Sequence, residues 1–200
     1  VPAVAVDSAL AMRRATEHVI RLGHRRIGFI HYRQVSDLGI GGRFKGFRSA
    51  LEAAGIPVDP RRVRSGNFSA ESGYEAMISL LSEPERPTAI VTGNDTIAIG
   101  AMAAVSESGL RVPDDVAVVG FDDIPLARYA SPALTTVRVP ASEMAAVCGE
   151  MILDLIDTGW LDPLKRWFPA ELIVRRSCGA LSDDREPMVP PAVDTTTAAE

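Results

Sequence analysis

Short, continuously apolar segments alternate along this chain with amphipathic segments of helical period, and this alternation limits the fold more than any other feature. The apolar segments lack the polar–apolar alternation of a half-exposed strand, so they predict strands that are buried on both faces. Strands of this kind, separated by helices, indicate a doubly wound α/β fold with a parallel sheet. The expected strands lie at 4–6, 27–30, 62–66, 88–91 and 116–121, and the expected helices at 8–22, 43–54, 70–82 and 95–108.

The C-terminal third departs from this alternation. After a loop at 122–133 we expect a short strand at 134–137, a helix at 141–157 and a last strand near 171–175. The segment 180–200 is rich in Pro, Thr, Ala and acidic residues and offers little to bury. This composition predicts a disordered tail.

The charge balance argues against nucleic-acid binding by this chain alone. The net charge is −5 and the pI is near 5.3, whereas such proteins usually carry a basic face. The basic cluster of Arg61, Arg62 and Arg64 is more typical of a solvated loop. Since no apolar run approaches about 20 residues and no secretory signal is visible, we expect a cytoplasmic protein without membrane contact. Cys148 and Cys178 match no metal or redox spacing.

The sequence lacks the motifs of the common enzyme classes. There is no G-x-S-x-G or H-E-x-x-H, and the glycine-rich stretch 39–42 is not a phosphate-binding loop. His31, at a predicted strand end, is more readily a polar lining group than a general base. We therefore expect no catalytic residue, no metal and no cofactor. A flavodoxin-like enzyme stays a minor alternative, because no nucleophile–base pair is visible.

Four loops follow the carboxyl ends of the predicted strands, which is where open parallel sheets bind ligands. They span 31–43, 66–69, 92–95 and 121–123. Together they bring a guanidinium, an aromatic ring, an amide and carboxylates to one edge of the sheet. Because guanidinium and carboxylate groups fix hydroxyl positions and a ring stacks on an apolar face, this set suits a polyhydroxylated or otherwise polar small molecule.

The side chains in these loops also have structural interpretations. Asp95 is expected, more readily than not, to N-cap the following helix, and Asn94 could do the same. Asp123 fits a turn before Pro125. Phe68 fits either the core or a ligand site, so both interpretations stay open.

Five sequence blocks, in order along the chain, resemble the lactose- and galactose-repressor (LacI/GalR) family of transcription regulators. The most specific block reads Gly-Leu-Arg-Val-Pro-Asp-Asp-Val-Ala-Val-Val-Gly-Phe-Asp-Asp at 109–123. The other four lie at 15–28, 43–56, 87–101 and 132–137. In all, similarity runs from about residue 4 to residue 178.

The resemblance implies a sensor of the periplasmic-binding-protein-like type I, with two α/β lobes that close over a small-molecule effector, usually a sugar, nucleoside or related metabolite. It also implies a homodimer that binds operator DNA only through an N-terminal helix-turn-helix, which this sequence, opening at Val1, lacks. Residues 1–136 would form the C-terminal lobe, 137–165 a crossover segment of an incomplete N-terminal lobe, and 166–179 the final strand returning to the C-terminal lobe. The alternative is the solute-binding protein of a sugar transporter, which would share both lobes.

The resemblance also assigns roles to individual residues. The positions that match the family's effector contacts are Arg43, Phe68, Asn94 and Asp122. Possible further lining residues are His31 and Ser69. The helix at 95–108 and the loop near Tyr129 match the family's dimer interface, which gives Ile97, Ala98, Ala101, Met102, Val105 and Tyr129 as interface candidates.

Overall fold

Strands and helices alternate through most of the computed structural model, which describes residues 2–32, 41–160 and 164–180. In chain order the elements are β1 (Ala3–Val6), α1 (Ser8–Arg21), β2 (Ile27–Tyr32), α2 (Gly41–Ala53), β3 (Val63–Gly66), α3 (Ala70–Leu81), β4 (Ala89–Thr92), α4 (Asp95–Glu107), β5 (Ala117–Val119), α5 (Pro125–Tyr129), β6 (Thr136–Arg138), α6 (Ala141–Thr158), β7 (Lys165–Phe168) and β8 (Glu171–Ile173). The α/β class expected from the sequence is confirmed.

Four strands form one parallel sheet in the order β3-β2-β4-β5. One face packs against α1 and α2, with Phe29 and Phe47 in a common apolar cluster. The other face packs against α3 and α4, where Ile30 and Leu80 belong to a second cluster. Each large side chain buried in this way contributes about 1.5–3 kcal/mol to folding. Burial on both faces is the physical reason for the continuously apolar strand sequences.

Two glycines let α3 and α4 approach until their backbones touch. A Cβ atom on Gly100 would lie 1.8 Å from the carbonyl oxygen of Ala70, and one on Gly73 would lie 2.2 Å from that of Ile97. Both distances are far below van der Waals contact, so only glycine fits at either position. The close contact fixes the position of α4, whose N-terminus lies at the carboxyl edge of the sheet.

The first strand does not join the large sheet. β1 pairs in parallel with β7 in a separate two-stranded sheet, and α6 packs against β1. The family resemblance predicts that residues 4–6 belong to the C-terminal lobe and that 166–179 holds one strand. The structure forms β8 where the last strand is predicted, near 171–175, and an additional strand, β7, before it. Pro169 separates the two strands, and it cannot donate a backbone hydrogen bond to a ladder.

The chain returns to the large sheet at its described C-terminal end. β8 pairs antiparallel with β6, and the Val118 amide donates to the Ser177 carbonyl over 2.8 Å. The Ser177 hydroxyl donates to the Val118 carbonyl over 2.6 Å and accepts from the Thr135 amide over 2.8 Å. Ala180, the first residue of the expected tail, is buried. The rest of that prediction, 181–200, lies outside the described residues.

Candidate functional site

The carboxyl ends of the four parallel strands meet at one edge of the sheet, and several expected site residues meet there too. Tyr32 ends β2, Gly66 ends β3 and Thr92 ends β4. Asp122 lies three residues beyond the end of β5. The sheet geometry thus brings together residues that are up to 90 positions apart in the sequence (Tyr32 and Asp122).

Arg43 lies at the centre of this edge. Its Nη2 lies 3.1 Å from Asp122 Oδ1, and its Nη1 donates to the Tyr32 hydroxyl over 2.8 Å and to the Gly93 carbonyl. The guanidinium also lies over the Phe121 ring, with Cζ 3.8 Å from the ring centroid. Its Nε is buried and has no hydrogen-bond partner. These contacts hold the guanidinium in one position.

Asp122 offers the carboxylate that faces Arg43. Its side chain remains 35% exposed, so part of the carboxylate faces solvent at the edge of the sheet. Burial raises the pKa of Asp122, and the neighbouring Arg43 guanidinium offsets part of that effect. The Asp122 backbone has φ 112°, a left-handed conformation that non-glycine residues rarely adopt.

Phe68 stacks on Tyr32 at the same edge. The two ring centroids are 3.8 Å apart and the rings are 10° from parallel. Phe68 is 46% exposed, so the core alternative for this residue is wrong: one face of the ring is covered and much of the rest is open to solvent. Its φ of 73° is also left-handed. Strained backbone of this kind concentrates at functional sites.

Tyr32 is a site residue that the sequence analysis missed. Its hydroxyl donates to the Gly93 carbonyl and accepts from Arg43, while its ring supports Phe68. A Cβ atom on Gly93 would lie 3.1 Å from Tyr32 Cζ, so the ring packs directly on the glycine backbone. The position of Tyr32 at the carboxyl end of a buried strand was the available signal.

Asn94 and Asp95 have different roles from one another. Asn94 N-caps α4, because its Oδ1 accepts from the Ile97 amide over 2.8 Å. Asp95, the predicted cap, is instead buried and accepts from the Thr136 hydroxyl and, over 2.8 Å, from the Ile124 amide. Burial raises the pKa of Asp95 to about 7, against the effect of both hydrogen bonds.

His31 and Ser69, the two possible lining residues, are engaged in local structure. His31 Nδ1 lies 2.7 Å from the Tyr32 carbonyl oxygen, and its ring stacks with Phe29 on the α1–α2 side of the sheet. Ser69 N-caps α3 by accepting from the Ser72 amide over 3.1 Å. The structure therefore gives both side chains a local structural role.

Asp123 is not only a turn residue. Its Oδ1 lies 2.8 Å from Arg175 Nη1 and its Oδ2 lies 2.8 Å from Arg138 Nε. Burial acts to raise the pKa of Asp123, but the hydrogen bonds from both arginines outweigh it and hold this pKa below the ordinary value. An open groove of about 590 Å³ begins at Asp122 and Asp123 and extends to the first turn of α6.

The burial of the α4 side chains contradicts the dimer contact predicted for this helix. Five of the six candidates belong to the interior of the chain and offer no surface to a second copy, because they pack against the sheet and α3 or α5: Ile97, Ala98, Ala101, Met102 and Val105. Tyr129, the sixth, is 72% exposed on α5. The regularly spaced apolar side chains of α4 therefore belong to the core of the chain.

Within the described ranges, no group of three or more His, Cys, Asp or Glu side chains could hold a metal ion. Over the same part of the chain, no helix has both the length and the apolar character needed to cross a membrane.

Comparisons with known proteins identify relatives along most of the chain. A model of the periplasmic binding protein-like domain family matches residues 16–178. The HTH-type transcriptional repressor PurR of Yersinia pestis (strain Pestoides F) is 43% identical over 163 residues, which is 82% of this chain and 48% of that protein. The chain therefore spans about half the length of the curated relatives it matches.

Solved structures agree with the sequence matches. A LacI-family regulatory protein from Chloroflexus aggregans superposes with a TM-score of 0.82 at 35% identity, over 88% of this chain and 63% of that one. The transcriptional regulator CelR in complex with cellobiose superposes with a TM-score of 0.83 at 36% identity, over 88% of this chain and 54% of that one.

Proposed function

The chain belongs to the periplasmic-binding-protein-like effector-binding domains of the LacI family of transcriptional regulators, and we propose that its Arg43–Asp122 edge binds a polyhydroxylated effector, a sugar or related metabolite. The relatives described above are transcriptional regulators rather than enzymes. They do not favour the alternative of a transporter's solute-binding protein. We further propose a cytoplasmic location.

The observation that carries the effector proposal is the Arg43–Asp122 pair beside the exposed Phe68 ring. A guanidinium and a partly exposed carboxylate, already held 3.1 Å apart, offer a donor and an acceptor to neighbouring hydroxyl groups. The Phe68 ring offers an apolar face on which the C–H face of a sugar ring packs. Both features also suit a disaccharide such as the cellobiose in the CelR complex.

The small unit of β1, β7 and α6 supports the proposed division into lobes. Parallel sheets occur almost only with both faces covered, and an isolated two-stranded sheet is marginal in water. Here α6 covers β1, while Trp160 and Trp167 are 68% and 64% exposed. We propose that 137–165, extended to the end of β7 at Phe168 because β7 pairs with β1, forms together with β1 part of a second lobe that supplies the other wall of the cleft.

Two further proposals concern partners. A homodimer contact is proposed at α5, where Leu126 and Tyr129 are exposed, in place of the α4 side chains. DNA binding is proposed for the whole regulator through a helix-turn-helix outside this sequence, because the similar PurR is a repressor of the HTH type. Sedimentation of Tyr129→Lys against the unchanged chain tests the dimer contact: equal dissociation of both would contradict it.

A saccharide titration tests the effector proposal. Amide shifts of the ¹⁵N-labelled chain are followed on addition of a panel of pentoses, hexoses, nucleosides and cellobiose. We expect at least one member to shift amides near Arg43 and Phe68, and Arg43→Ala to abolish the shifts. Arg48→Ala is the matched control, because Arg48 lies on the same helix but is exposed and pairs with Glu52. Shifts that persist in Arg43→Ala, or a panel without any effect there, would contradict the proposal.

A further inference from the structure

Asp123 forms ion pairs with two arginines that lie on two different segments of the chain. It is not one of the residues proposed to contact the effector. Arg138 ends β6 and Arg175 lies two residues after β8. Each donates to a different oxygen of the same carboxylate over 2.8 Å. Asp123 and Arg175 have side chains that are only 9% and 6% exposed, and Arg175 also donates to the Leu134 carbonyl over 2.9 Å. The loop after β5 is thereby tied to β6 and to the returning C-terminal segment.

The two ion pairs act on a strained turn. Asp122 and Asp123 have φ of 112° and 56°, two consecutive left-handed residues without a glycine. Left-handed residues other than glycine are strained and persist only where their surroundings hold them. The backbone of Asp122 is also paired, since its amide donates to the Val137 carbonyl over 2.8 Å. The side chain of Asp123 therefore anchors the turn at the residue next to the one that faces Arg43.

We infer that Asp123 is a positioning residue of the effector site: its double ion pair with Arg138 and Arg175 holds the left-handed turn that directs the Asp122 carboxylate towards Arg43. The inference rests on the proposed function for its role in binding, but its structural part can be tested without a ligand. Asp123 itself contacts no effector in this scheme.

The electrostatics of the neighbourhood agree with this role. Asp95, Asp122 and Asp123 are close enough for their charges to interact, and both neighbours raise the pKa of Asp95 further. Arg138 and Arg175 compensate the charge of Asp123, while Arg43 compensates that of Asp122. The turn thus directs two adjacent carboxylates to different arginines, one for structure and one for binding.

The first arm of the test is structural and needs no ligand. Crystal structures and three-bond HN–Hα couplings, which report φ, are obtained for Asp123→Ala and Asp123→Asn. We expect Asp123→Ala to lose the left-handed φ of Asp122 and the 3.1 Å contact with Arg43. Asp123→Asn should retain both in part, because asparagine tolerates φ near 56° and its amide oxygen still accepts from one arginine.

The second arm measures binding of the saccharide with the largest shifts in the panel above. We expect Asp123→Ala to weaken binding at least about tenfold, Asp123→Asn to weaken it less, and Glu83→Ala to leave it unchanged. Glu83 is the matched control, because it also pairs with a partly buried arginine, Arg64 over 2.6 Å, on another part of the fold. A general loss of stability would affect control and test variants alike.

The outcomes separate the two claims. If Asp122 keeps its φ and its contact with Arg43 in Asp123→Ala, the inference is overturned whether or not a saccharide binds. If the turn changes as expected but the unchanged chain binds no member of the panel, the positioning role stands and the proposed effector class fails. Should Asp123→Ala not fold, Arg138→Met, which removes one of the two ion pairs, replaces it in both arms.

Discussion

Arg43 donates from Nη1 to the hydroxyl of Tyr32 over 2.8 Å, and the same hydroxyl donates onward to the Gly93 carbonyl. The tyrosine is 3% exposed, and burial raises the pKa of Tyr32, so this hydroxyl remains protonated at neutral pH. A neutral, buried hydroxyl therefore orients the guanidinium before any ligand is present. Pre-organisation of this kind reduces the entropy lost on binding.

Tyr32→Phe should lower the free energy of unfolding by about 0.5–1.5 kcal/mol, the usual net value of a hydrogen bond, and should weaken effector binding. Arg43 retains the Gly93 carbonyl and Asp122 as partners, so we expect no complete loss. Urea denaturation gives the stability change. Tyr74→Phe is the control: its hydroxyl bonds Glu107 at an exposed position over 2.7 Å, and a loss as large as that of Tyr32→Phe would contradict the prediction.

Because of Asp95, the free energy of unfolding should fall as the pH rises. The pKa of Asp95 is about 7 in the folded chain, compared with the ordinary 3.8, so between these values the folded state binds more protons than the unfolded state. The free energy of unfolding therefore falls with increasing pH across this window, by up to about 1.4 kcal/mol per pH unit, and levels off above pH 7.

The contribution of Asp95 is measured as the difference in stability between two proteins. Urea denaturation of the unchanged chain and of Asp95→Asn is followed from pH 5 to pH 8, so that contributions from other titrating groups cancel. The unchanged chain should show the steeper fall in stability towards pH 7. Parallel stability curves for the two proteins would show that Asp95 is ionised in the folded state throughout this range.

Gly100→Ala should destabilise the fold by at least about 2 kcal/mol, because its Cβ would overlap the Ala70 carbonyl oxygen and force α3 and α4 apart. Gly149→Ala, on α6, is the matched control, since a Cβ there meets nothing within 4 Å. It should leave stability unchanged or raise it by up to about 1 kcal/mol through helix propensity. Thermal unfolding compares the two, and equal melting temperatures would refute the close-packing argument.

The apolar side chains on α6 and the adjacent strand should cause the isolated chain to self-associate. Ile152, Ile156 and Trp160 are 58%, 72% and 68% exposed, and an apolar groove beside them is lined by Ala3, Val4 and Met151, among others. Exposed apolar patches of this kind mark surfaces that are normally covered. Ile156→Lys should reduce the association measured by sedimentation velocity, whereas Glu150→Lys, on the same helix, should not.

Much of the fold was predictable because the periodicity of the sequence records burial directly. β2, β4 and β5 read as continuous apolar runs because both faces of each strand are buried. β2 and β4 are the central strands of the parallel sheet, and β5 is an edge strand that the returning C-terminal segment covers. At α4 the family resemblance assigned apolar positions to a dimer interface, and the structure has these positions buried inside the chain. Periodicity shows that a face is covered, but it does not show by which chain.

The candidate site was predictable in part, for a similar reason. Sheet topology alone places Arg43, Phe68 and Asp122 at one edge, and the structure brings them there. The roles of Tyr32 and Asp123 depend on hydrogen bonds to residues far away in the sequence, such as Gly93 and Arg175. No local pattern encodes those partners, so the sequence indicated only a turn former at Asp123.

The late return of the chain to β5 has a consequence for synthesis in the cell. Val118 is hydrogen-bonded to Ser177, and Cys178 and Ala180 are buried in the same region. After a ribosome has incorporated Phe121, it must still add roughly sixty residues before the segment that covers β5 is complete. This takes about 3–12 s at 5–20 residues per second. During that interval the nascent sheet exposes an unprotected edge strand, and molecular chaperones would meet the protein at this point of its biogenesis.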